Sequence, residues 1–205
     1  MAASQAPVGV LWDIGNVIVR WDPRTLYSKI FPDPAERDRF LAKICTPAWQ
    51  HQHDLGLPMA EGVASLSTQH PHRAGAIAAW KARWWEMFSG TIPQTTSAIE
   101  RLRARGVPQF GLSNAPAEII AGVYAMHPCF AHLRDVVVSG EEKVAKPDPA
   151  IYVLACRRAG HEPRQLLFID DSPRNIAAAE ELGFHTHLFD DPDALEPALL
   201  RHGLL

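Results

Sequence analysis

The chain has 205 residues, 47% of them hydrophobic, with a net charge of -3, which is enough apolar material for one substantial core carrying a smaller satellite. Its basic residues are scattered, so no positive field is built for nucleic acid, and no segment approaches the roughly 20 apolar residues of a membrane span. Cys45, Cys129 and Cys156 fit neither a disulfide framework nor a zinc knuckle, which points to a reducing cytoplasmic setting. Residues 1–7, "MAASQAP", have neither a basic nor an apolar stretch and read as a loose terminus.

In chain order, the first apolar run, 8–12, suits a buried parallel strand. From about residue 20 to 90 no strand signal follows, only helical ones. Asp22-Pro23 and Asp33-Pro34 each pair an N-cap with a first-turn proline, predicting helices over 23–30 and 34–44. Further helices are expected over 58–68 and 71–88, the last placing Ile77, Trp80, Trp84, Met87 and Phe88 on one face. Beyond it, strands predicted at 107–112, 135–138, 166–169 and 184–188 alternate with helices at 116–126, 149–159 and 173–182. This βαβα rhythm predicts an α/β fold with a Rossmann-like parallel sheet. The expected division is a core of residues 1–19 and 90–205, with a helical domain, 20–89, inserted after the first strand.

Three apolar runs end in polar groups: Asp13, Ser113-Asn114 and Asp170-Asp171. In open parallel sheets the ligand crevice lies off the carboxyl ends of the strands, so the three clusters are expected to meet. Taken singly each is also a turn or capping residue; jointly their shared position favours a site. Converging carboxylates need a cation, and hard oxygen ligands suit Mg²⁺ shared with a substrate phosphate. Lys146, in "VAKPDPAIY", adds positive charge on that phosphate, and Ser113 donates to its oxygens. Asp13 is then the nucleophile, forming an aspartyl-phosphate.

These residues resemble the haloacid dehalogenase-like hydrolase superfamily, whose four motifs are matched in order by "WDIGNV", "LSN", Lys146 in "AKPDPAIY", and "FIDDSPRN". The inserted helices are similar to the helical cap of one branch. The resemblance implies a five-stranded parallel core and a Mg²⁺-dependent phosphatase acting on a small phosphorylated metabolite. It implies Asp13 as nucleophile and metal ligand, Gly15 as a metal ligand through its carbonyl, Ser113 and Lys146 as the phosphate clamp, and Asp170 as metal carboxylate. Asp171 supports Asp170 or binds through water; Asn175 stands where many members carry another acid. Asn114, Trp21 and His53 are expected at the substrate.

Gly15 departs from the family, since most of its phosphatases carry a second aspartate there that protonates the leaving oxygen. General acid help is worth about 10²–10⁴-fold, so a leaving group that is already a tolerable anion suffers least from its loss. That favours a sugar-1-phosphate over a sugar-6-phosphate, and the form "D-x-G-N-V" with "WQHQHDLG" resembles a bacterial group that includes a glucose-1-phosphate phosphatase. Two other readings are a phosphate-ligand or partner-binding module disabled by Gly15, and a metal-independent 2-haloacid dehalogenase.

The insert holds Trp21, Trp49, Trp80, Trp84 and Trp85. Trp80 and Trp84 are expected in its core, whereas Trp21, after the strand, and Trp49, in an expected loop, are candidates to stack on a sugar. "HQHD", from His51 to Asp54, alternates like an extended segment, and with no third ligand nearby its histidines read as polar cap residues rather than a transition-metal site. His185 and His187 are expected at surface or strand-edge positions, their alternation being strand geometry.

Overall fold

A computed structural model describes residues 6–126 and 128–205; the first five residues of the expected loose terminus lie outside them. The chain begins with β1 (Gly9–Trp12), β2 (Val19–Trp21), α1 (Pro23–Tyr27), α2 (Pro34–Lys43), α3 (Pro47–Asp54), α4 (Met59–Gln69), α5 (Ala74–Ala82) and β3 (Phe88–Thr91). It continues through α6 (Pro93–Ala104), β4 (Gln109–Ser113), α7 (Ile120–Met126), β5 (Val136–Val138), α8 (Ser139–Glu142) and α9 (Pro149–Ala159). It ends with β6 (Leu166–Asp170), α10 (Pro173–Glu181), β7 (His185–Leu188) and α11 (Leu195–Arg201).

Five strands form a wholly parallel sheet in the order β5-β4-β1-β6-β7. The chain winds outward from β1 through β4 to β5 and returns on the other side to β6 and β7. Strand order therefore reverses beside β1, which is where such sheets open a crevice at their carboxyl ends. Alternate strand residues feed two apolar clusters. Leu11, Leu112 and Phe168 pack with α9 and α10 on one face, and Val10, Trp12 and Ile169 lie on the other. The second cluster runs without a break into the helices between β2 and β3.

Helix starts follow a repeated local device. Asp22, Asp33 and Asp148 each accept a backbone N–H two residues on, with proline at the first helical position. Gly183, at φ 88°, ends the turn after α10.

Three expectations are corrected. Residues 20–90 do contain strands: β2 and β3 pair antiparallel where the chain leaves and re-enters the sheet layer. The helix expected over 71–88 stops at Ala82, and Phe88 opens β3. Trp49 and "HQHD" lie not in a loop or extended segment but on α3, which Thr46 caps by accepting from the Trp49 N–H ahead of Pro47. The cysteines are free and buried, and among the described residues no helix is long and apolar enough to cross a membrane.

Candidate active site

Parallel pairing carries the carboxyl ends of β1, β4 and β6 to one edge of the sheet. Asp13 continues β1, its N–H donating to the Ile169 carbonyl at 2.9 Å; Ser113 ends β4 and Asp170 ends β6. The loop before α9 brings in Lys146, held by an exchange with Asn114: the Lys146 N–H donates to Asn114 Oδ1 at 2.8 Å, and Asn114 Nδ2 donates to the Lys146 carbonyl at 2.9 Å. Asn114 thus lies at the site, and these two bonds position Lys146.

One oxygen each from Asp13, Asp170 and Asp171 falls within 4.8 Å of the others. Lys146 Nζ donates to Asp13 Oδ1 at 2.8 Å, Asp170 Oδ2 at 2.7 Å and the Leu112 carbonyl at 2.9 Å. Its three hydrogens are therefore spent on the protein, which leaves it a buried charge rather than a free donor. Asn175, whose part the sequence left open, donates to both Asp170 oxygens at 2.9 and 3.1 Å. Asp13 Oδ1 also accepts from the Ile14 N–H, whereas Oδ2 has no partner among the described residues, and neither does the Ser113 hydroxyl.

One ammonium answers only one of the three carboxylates. Burial holds Asp13 well above the usual carboxylate range despite Lys146, with Asp170 and Asp171 pushing the same way. Asp171 is raised by burial and by Asp170. Burial pulls Lys146 down, but Asp13 and Asp170 outweigh it and hold it above its ordinary value. Excess negative charge on oxygens alone suits a hard divalent cation.

Beside this cluster lies a cavity of about 120 Å³. Gly15, Ser113 and Asn114 line it from the strand ends; Trp21 lines it from the end of β2, and Gln50, Asp54 and Trp84 from the segment between β2 and β3. Asn16, in the left-handed region at φ 57°, places its Oδ1 to accept from the Trp21 N–H at 3.0 Å and so fixes where the chain turns over the cavity. A Cβ at residue 15 would meet nothing within 4 Å, so the space beside Asp13 is open.

Two residues expected at the substrate, His53 and Trp49, are packed in the interior and do not line the cavity. His53 is 0% exposed; its Nδ1 donates to the Leu57 carbonyl at 2.9 Å, and its ring lies against Gly62 so closely that a Cβ there would collide with it. Burial lowers its pKa, so it is a neutral packing residue. Residues two apart on a helix face different ways, which is why His51 is exposed while His53 is not. Trp49 packs edge-to-face on Trp80 at 5.3 Å and is buried. Two residues that line the cavity went unread, Gln50 and Asp54; the signal that could have found them is Thr46-Pro47, the start of α3.

The model of haloacid dehalogenase-like hydrolases matches residues 9–183. The chain is 27% identical over 113 residues to a Burkholderia cepacia (S)-2-haloacid dehalogenase, covering 54% of this chain and 49% of that protein. It is 33% identical over 96 residues to Haemophilus influenzae phosphoglycolate phosphatase, covering 46% and 42%. These matches thus span about half or less of the relatives' own length. In fold it is similar to a HAD family enzyme of Bacteroides thetaiotaomicron, solved in complex with magnesium and inorganic phosphate. That likeness has a TM-score of 0.70 and 23% identity, covering 92% of this chain and 98% of that one. None of these matches singles out the glucose-1-phosphate phosphatase group. With the motif order, the parallel sheet and the strand-end cluster in agreement with that model, the chain belongs to the haloacid dehalogenase-like hydrolase family.

Proposed function

We propose that the chain hydrolyses the phosphate monoester of a small metabolite, a sugar phosphate, with Mg²⁺ and an aspartyl-phosphate on Asp13. The observation that carries this reading is the approach of Asp13, Asp170 and Asp171 oxygens to within 4.8 Å beside a Ser113 hydroxyl with no protein partner. A phosphoglycolate phosphatase among the relatives and a fold neighbour solved with magnesium and phosphate support it.

Asp13, Asp170, Asp171 and the Gly15 carbonyl would hold Mg²⁺. When bound, it neutralises the carboxylates and draws charge off the phosphate oxygens. Asp13 Oδ2 attacks phosphorus and the bond from phosphorus to the organic oxygen breaks; water then attacks the phosphoryl group and returns Asp13 with inorganic phosphate. Ser113 donates its hydroxyl hydrogen to a phosphate oxygen, while Lys146 and Asn175 hold the two carboxylates in line. Residues 20–89 act as a cap that excludes water, and Trp21 and Trp84 form a wall for the organic group. Among sugar phosphates the 1-phosphates, whose anomeric oxygen leaves most readily as an anion, ask least of any proton donor in the site.

Phosphate release from sugar-1-phosphates, sugar-6-phosphates, nucleotides and small esters, with Mg²⁺ and with chelator, tests the reading. Turnover that requires both the metal and Asp13 is expected, and Asp13→Asn should lose on the order of 10³-fold or more. Metal and phosphate binding without turnover of any ester would move the assignment to a binding module. The (S)-2-haloacid dehalogenase relative supports metal-free dehalogenation instead, a reading that leaves two of three clustered carboxylates uncompensated. Halide release from a 2-haloacid in chelator would establish it.

A further inference from the structure

Position 15 carries no proton donor, yet the cavity beside it does contain one carboxyl group. Asp54, the last residue of α3, is 9% exposed and is the one titratable side chain among the described residues that line the cavity. It is held in place from the insert side. Gln50 Nε2 donates to Asp54 Oδ1 at 2.9 Å, and Gln50 Oε1 accepts from Trp80 Nε1 at 2.9 Å. The carboxamide cannot turn over without losing both bonds, and Trp80 is fixed among Trp21, Tyr27, Trp49 and Trp84. Asp54 Oδ2 has no partner among the described residues.

A substrate whose phosphorus meets Asp13 and Ser113 places its organic group in this cavity, because Ser113 lines it from the strand ends. The leaving oxygen then lies where phosphate and organic group join, at the cavity that Gly15 and Asp54 both line. A carboxyl in a largely apolar pocket costs free energy, and its bond to Gln50 occupies one of its two oxygens. Burial pushes the Asp54 pKa up to about 6, against the hydrogen bond from Gln50 and the charge of Lys146. Near neutral pH both its forms are populated, as proton transfer in both directions demands.

We propose that Asp54 is the catalytic acid and base that residue 15 does not supply, with Gln50 as its positioning residue. This rests on the phosphatase reading above. In the first step Asp13 Oδ2 bonds to phosphorus, the bond from phosphorus to the leaving oxygen breaks, and that oxygen takes the Asp54 proton and departs as an alcohol. In the second, water attacks the phosphoryl group, its proton passes to the Asp54 carboxylate, and the Asp13–phosphorus bond breaks to release inorganic phosphate. Since Asp54 rides on the insert, the proton donor is present only while the insert covers the strand ends.

The test compares p-nitrophenyl phosphate, whose phenolate leaves without a proton, with phenyl phosphate, whose phenolate is a poorer leaving group. Asp54→Asn should keep the pre-steady-state burst of p-nitrophenolate within a few-fold, while turnover of phenyl phosphate falls about 10²-fold. Gly15→Asp added to that variant should recover much of the loss, there being room for a side chain at 15. Gln50→Met, which frees Asp54 without removing it, should lower kcat with KM held. Equal loss on both esters in the burst, or no loss on either, overturns the proposal, and so does a rise in KM alone for Gln50→Met. No phosphate release by the wild type, or full release by Asp13→Asn, overturns the phosphatase reading itself and this inference with it.

Discussion

Next to the cavity the strand ends gather buried charges, Asp13, Lys146 and Asp170, whereas the insert gathers rings, with Asp54 as its one buried carboxyl among the described residues that line the cavity. Lys146 holds Asp13 and Asp170 by directed bonds of 2.8 and 2.7 Å, with Asp13 Oδ2 left without a partner among the described residues. Trp21, Trp80 and Trp84 meet at centroid distances of 5.7 to 6.5 Å with interplanar angles from 36 to 77°, packing that tolerates adjustment. Directed bonds between charges hold reacting atoms in one geometry, whereas apolar packing accepts repacking at modest cost. The strand ends therefore hold their charges in fixed geometry, while the rings of the insert give the pocket most of its aromatic wall. The Trp80–Gln50–Asp54 chain carries directed side-chain bonding from the ring cluster to the cavity.

The hardest blow to this contrast falls on Lys146. Lys146→Met leaves Asp13 and Asp170 buried without their cation and should cost about 3–5 kcal/mol in urea unfolding measured in chelator, with part of the loss returned by Mg²⁺. A loss below about 1 kcal/mol would mean the charges are not held as tightly as the rings.

Next comes pH. The folded pKa of Asp54, about 6, lies above its ordinary 3.8, so the folded protein holds this proton more tightly than the unfolded chain does. Its stabilising contribution is full below about pH 4 and is lost as pH rises through 6, a change of roughly 3 kcal/mol. The wild type should lose that much relative to Asp54→Asn between about pH 4 and 7 in denaturant titrations; parallel curves would show that Asp54 is not constrained by its pocket.

Smaller effects belong to the insert. His53→Ala removes a buried ring beside Gly62 and Trp49 and should destabilise by about 2 kcal/mol, with KM for the best substrate unchanged. A several-fold rise in KM would return His53 to the binding surface. Trp21→Ala removes part of the cavity wall and should raise KM about 3- to 10-fold, equivalent to roughly 0.5–1.5 kcal/mol, with kcat little altered. A change in kcat alone would mean that the ring steers the reacting groups.

How much of this was legible differs between the two sides. Asp13, Ser113 and Asp170 could be placed together because each ends an apolar run, and parallel pairing sends every such end to the same edge. The insert was less legible. The four residues "HQHD" are too few to separate a period of 2 from one of 3.6, so His53 was assigned to substrate while Asp54, one residue on, was passed over. The β2–β3 ribbon was missed because Val19 pairs with Thr91 across more than seventy residues, and no local pattern reports such a partner.

The order of its apolar runs and the polar residues closing them determined the parallel sheet, the family and the carboxylate cluster, because strand periodicity and chain direction are local properties. Only the tertiary structure decided that Lys146 spends all its hydrogens on protein oxygens, that His53 faces Gly62, and that Asp54 faces the cavity. Those facts depend on which surfaces meet when α3 packs against its neighbours, and such a meeting is set by the summed packing of residues far apart in the chain.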